Sequence, residues 1–96
     1  MKLVSVINYE KNAYMWIATF SEYSKQHPIY NVLFGDGTPT YIDNGDIIKR
    51  RKFRGLNEGW DKCNKDTREK LTYYLLYGDS TNINVNLDAY KKVFKV

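Results

Sequence analysis

One cysteine, one histidine and two prolines are the full complement of those residues in this 96-residue chain. A lone Cys63 closes no internal disulfide, so no cystine framework organises the fold, and a reducing intracellular setting is expected rather than secretion. One His27 with one Cys63 is too poor a ligand set for zinc, and neither residue sits in a recognisable catalytic signature. No metal, no cofactor and no enzymatic activity are therefore expected, and His27 beside Pro28 reads as a surface-loop residue. No apolar run approaches the roughly 18 residues of a membrane helix, and Leu3 to Ile7 is too short for a signal peptide. Gly35-Asp36-Gly37 lacks the longer glycine spacing and the Lys-Ser/Thr of a phosphate loop, which leaves it as a turn.

Tyrosine and charge asymmetry stand out among what is present. Nine Tyr, four Phe and two Trp make 16% of the chain aromatic, and tyrosine's apolar ring with a polar tip suits half-exposed surfaces and binding sites. Residues 1–48 carry three cations and five carboxylates, and residues 49–96 carry twelve and six. A basic second half suggests an acidic partner, nucleic acid first among them, whereas the acidic first half suits a cationic ligand.

The residue pattern predicts one domain of α+β class, mostly β with a helical extension. Leu3–Ile7, Ala13–Tyr23, Ile29–Phe34, Thr38–Ile42 and Ile47–Phe53 read as five short strands. They are separated by turn-like segments that include Gly35-Asp36-Gly37 and Asp43-Asn44-Gly45-Asp46. Five such strands in residues 1–54 describe a small antiparallel barrel. Residues 55–96 then form a connector that pins Trp60 and a helix packed on the barrel. That helix is expected to begin at Asp66 with Glu69 as a capping box, to share a face among Leu71, Tyr74 and Leu75, and to stop at Gly78. Residues 79–96 fit either an alternating strand or a short helix. Trp16, Ala18 and Phe20 fall on one strand face as core, and Tyr73, Tyr74 and Tyr77 read as packing residues.

Tyr30-Asn31-Val32-Leu33-Phe34-Gly35-Asp36-Gly37, then Tyr41-Ile42 and Asp46-Ile47-Ile48, preceded by Trp16-Ile17-Ala18 and Tyr9, resembles a Tudor domain over residues 3–49. The resemblance implies an SH3-like five-stranded barrel. It also implies a cage of Tyr9, Tyr14 and Phe34 with Asp36 as the acid, holding a methylated Lys or Arg of a partner protein by cation–π attraction and a charge-assisted hydrogen bond.

Lys49-Arg50-Arg51-Lys52-Phe53-Arg54 is the second candidate site. Five cations in six positions repel one another and are relieved by phosphates, so Lys49, Arg50, Arg51, Lys52 and Arg54 form a candidate nucleic-acid surface, or else a solvated edge strand. The leading expectation is a recognition module for a cationic segment. A nucleic-acid-binding barrel is the alternative, as is a compact viral or mobile-element inhibitor acting by protein–protein contact.

Overall fold

The computed structural model describes residues 1–21 and 29–96. His27 and the Ser24–Pro28 loop expected around it lie outside the described residues. Three strands, β1 (Lys2–Asn8), β2 (Trp16–Ser21) and β3 (Tyr30–Phe34), form an antiparallel sheet in the order β1-β2-β3. Leu3 faces Phe20, Ala18 faces Val32 and Trp16 faces Phe34, which puts the large apolar residues of all three strands on one side. Leu3, Ala18, Phe20 and Phe34 are buried there against Leu71, Leu75, Leu76 and Tyr90 from the second half of the chain. Each such side chain removed from water contributes about 1.5–3 kcal/mol, so this face holds the sheet to the helices.

Among the described residues the other face of the sheet is open. Ile7, Ile17 and Leu33 lie directly opposite one another across the three strands, with Ile7 56% and Leu33 42% exposed. Beside that row the Thr19 hydroxyl donates to Asn31 Oδ1 at 2.8 Å.

The expected five-stranded barrel is not what the chain forms. Among the described residues the sheet has three strands and does not close, and residues 41–44 and 47–56 are helical. The segment expected as the fourth strand enters α1 (Tyr41–Asn44). Its start is set by Asp43, whose carboxylate accepts from the Thr40 amide at 2.8 Å and from the Thr40 hydroxyl at 3.1 Å. Gly45, at φ 65°, ends it in the left-handed conformation that glycine adopts without penalty. The segment expected as the fifth strand is α2 (Ile47–Leu56), with Asp46 Oδ1 accepting from the amides of Ile48 and Lys49. Asn44-Gly45-Asp46 thus serves as a helix stop followed by a helix start, a use of the same residue types that a hairpin turn also makes.

A 3₁₀ turn (Glu58–Lys62) carries Trp60 back onto α2, where it meets Phe53 edge-on at 5.6 Å between centroids. The expected helix after the connector is present as α3 (Arg68–Leu71), running into a π-helical turn at Thr72–Leu76. Thr67 rather than Asp66 caps it, accepting from the Lys70 amide, while Asp66 accepts from the Tyr30 hydroxyl at 3.0 Å. The tail is helical: α4 (Ile83–Phe94) is capped by Asn82 and ends on Lys65, whose ammonium donates to the Phe94 carbonyl at 3.1 Å. Tyr90 and Phe94 pack with Tyr74, and the Lys70 ammonium lies 4.0 Å from the Phe94 ring centroid. No helix among the described residues is long and apolar enough to cross a membrane.

Candidate functional site

β3 ends in Phe34-Gly35-Asp36. Gly35 has φ 94°, and a Cβ there would stand 2.9 Å from the Tyr14 carbonyl oxygen, so only glycine lets the chain leave the sheet at this point. The Gly35 amide donates to Thr72 Oγ1 at 3.2 Å, which ties the end of the sheet to the π turn. Asp36 follows at the surface, its Oδ1 accepting from both the Thr38 amide and the Thr38 hydroxyl. Those bonds, the hydroxyl's foremost, hold the Asp36 carboxyl below its ordinary pKa against the opposing effect of partial burial.

Around this turn the fold assembles a recess of about 50 Å³. Phe53 of α2, Trp60 of the 3₁₀ turn and Tyr77 after the π turn supply its aromatic lining; Asp36 and Glu69 supply carboxylates, and Arg68 a cation. Phe53 and Tyr77 stack with centroids 3.6 Å apart and planes 6° from parallel. Thr72 and Tyr77, both lining the recess, are joined by the i→i−5 bond from the Tyr77 amide to the Thr72 carbonyl, so the π turn itself places them. Burial raises the Tyr77 phenol pKa, and the charges of Asp36 and Asp43 push it further up, which keeps the phenol neutral in a negative field.

Helix α2 runs past the recess, and its five cations divide between two faces. Arg50 and Arg54, one turn apart, point back at the chain that follows the π turn. Arg50 Nε donates to the Gly78 carbonyl at 2.8 Å, and its Nη2 pairs with Asp79 at 2.9 Å. Arg54 Nη1 donates to the Tyr77 carbonyl at 2.9 Å, with its guanidinium 4.2 Å from the Tyr73 centroid. The Tyr77 carbonyl is one freed at a helix end, where cations are favoured. Lys49, Arg51 and Lys52 are exposed and make no ion pair among the described residues.

Of the four residues that the resemblance assigns to a cage, only Asp36 lines the recess. Phe34 is fully buried in the core. Tyr9 and Tyr14 sit in the β1–β2 connection, where Tyr9 donates its amide to the Met15 carbonyl and Tyr14 its amide to Asn12 Oδ1. Neither ring stacks on another aromatic among the described residues. Phe53, Trp60, Tyr77 and Glu69 were not anticipated as site residues. The signal for Phe53 was its place one helical turn from Arg50 and Asn57, visible once residues 47–56 are read at period 3.6 rather than 2.

Among the described residues no group of three or more His, Cys, Asp or Glu is placed to hold a metal ion. Cys63 is half-buried with Sγ 3.9 Å from the Gly59 carbonyl oxygen. No family model matches the chain, and neither does any curated protein or any solved structure.

Proposed function

We propose that the chain is a non-enzymatic recognition module, acting inside the cell, whose recess receives a cationic group of a partner protein. The observation that supports this reading is the meeting of three aromatic rings and two carboxylates, Asp36 and Glu69, against a single lining cation, Arg68, at one opening. At roughly 10–15 Å³ per water position, the recess has room for three to five waters, the space of a guanidinium or a methylated ammonium group. Ring faces attract a desolvated cation by about 0.5–2 kcal/mol each, and a hydrogen bond to an ionised carboxylate adds about 1.5–3 kcal/mol. A total near 4 kcal/mol corresponds to a millimolar dissociation constant, so flanking contacts from the partner supply the remaining affinity. Asp36 suits the role because Thr38 occupies Oδ1 and keeps the carboxyl ionised.

Titration of the isotope-labelled chain with lysine, methyl-lysine and arginine peptides tests the reading. Shifts at the Trp60 indole N–H and at Tyr77 that are abolished by Asp36→Asn are expected. Unmoved Trp60 and Tyr77 signals with all three peptides at millimolar concentration reject it.

A further inference from the structure

Gly55 is a residue of α2 whose presence the fold does not explain. It lies in the last turn of α2 with no positive φ, and a Cβ added there meets nothing within 4 Å. Glycine costs helix stability relative to alanine, and no packing demand offsets that cost here. A glycine of this kind is suited to close approach of something outside the molecule. At about 100° per residue, Gly55, Ile48 and Lys52 form the crest of the helix, opposite Arg50, Phe53 and Arg54, while Arg51 and Lys49 flank the crest on its two sides. Ile48 is 65% exposed, and α2 buries none of its residues fully, so the helix lies on the surface of the molecule.

From this placement we infer that the outward face of α2 docks in the major groove of duplex DNA, with Lys49 and Arg51 reaching phosphates on opposite groove walls and Gly55 letting the helix sit deep. Ten residues span about 15 Å, and a helix of about 10–12 Å diameter matches a groove about 12 Å wide. Cations on both flanks fit a concave surface edged by two rows of phosphates better than a flat one. An anionic membrane is disfavoured because Lys52 stands on the crest between Ile48 and Leu56, where an interfacial helix segregates its apolar residues. Arg50 and Arg54 take no part; their contacts with the 77–79 turn hold the helix in place. The inference is independent of the recess, since none of the residues it uses lines that opening.

Fluorescence anisotropy of the full chain with a labelled 20-base-pair DNA duplex, the matching RNA duplex and vesicles containing phosphatidylserine tests it. DNA is expected to bind best, because the deep, narrow major groove of A-form RNA excludes the helix. Two phosphate contacts, from Lys49 and Arg51, give a loss of about 12-fold between 50 and 200 mM salt, and Lys49→Ala/Arg51→Ala/Lys52→Ala removes that dependence. Gly55→Trp, which the open crest accommodates, is expected to lower DNA affinity at least 10-fold. Circular-dichroism melting confirms that both variants are folded. Equal or tighter binding to RNA or vesicles, no DNA binding at 50 mM salt, or unchanged affinity in either folded variant overturns the inference.

Discussion

The Arg54 guanidinium lies 4.2 Å from the centroid of the Tyr73 ring while donating to the carbonyl of Tyr77. That side chain, together with Arg50, holds α2 against the chain around the π turn, whereas Arg51 is exposed and makes no ion pair among the described residues. Arg54→Ala is expected to lower unfolding free energy by about 1–3 kcal/mol, combining a lost hydrogen bond with a lost cation–π contact. Arg51→Ala should stay within about 0.5 kcal/mol of wild type. Urea denaturation of the two variants makes the comparison, and equal losses would mean that α2 is not held through Arg54.

Two glycines of the second half should respond in opposite directions. A Cβ at Gly78 would stand 2.3 Å from the Tyr74 carbonyl oxygen and 2.7 Å from Asn86 Cγ, and Asn86 is itself fixed by bonds to Leu75 and Ser80. Gly78→Ala should therefore destabilise by about 1–3 kcal/mol through overpacking. Gly55→Ala should stabilise by up to about 1 kcal/mol. Thermal melting of both variants reads the two signs.

Two residues that adjoin in β3 separate the faces of the sheet. Phe34 is fully buried, and Phe34→Ala should cost about 3–5 kcal/mol. Leu33 is 42% exposed on the open face, and Leu33→Ala should cost less than about 1 kcal/mol. A large loss at Leu33 in chemical denaturation would show that this face is covered in solution.

Alkaline pH should weaken the fold through its tyrosines. Burial, followed by the hydrogen bond to Asp61 and that carboxylate's charge, raises the Tyr74 pKa to about 12, and burial raises Tyr90 as well. The folded state therefore holds these protons more tightly than the unfolded chain, whose tyrosines titrate near pH 10. The stability they contribute is complete below about pH 10 and is lost as pH rises through the folded-state values. Tyr74→Phe should flatten the fall in melting temperature between about pH 10 and 12. Spectrophotometric titration at 295 nm should show the wild-type tyrosines ionising late.

Local chemistry made part of this architecture readable. The β-branched and aromatic runs around Val6, Ala18 and Val32 mark strands because branched side chains pack well on a pleated surface. The stop at Gly78 and the face shared by Leu71 and Leu75 mark the helical segment after the connector. The candidate recess was legible only at Asp36. Its aromatic residues come from positions 53, 60 and 77, and no short spacing announces that Phe53 will stack on Tyr77.

Residues 47–54 show where the sequence by itself stops. Ile-Ile-Lys-Arg-Arg-Lys-Phe-Arg alternates as plausibly at period 2 as at 3.6, and Asn44-Gly45-Asp46 suits a hairpin as well as two helix caps. The sequence alone marked the three strands that form together with two that do not, the glycine turn that ends the third, and an excess of cations beginning at Lys49. Tertiary structure decided that those cations ride on a helix, because only a helix puts Arg50 and Arg54 one turn apart and within reach of the Gly78 and Tyr77 carbonyls. Those acceptors lie 28 and 23 residues further along the chain, beyond any local pattern.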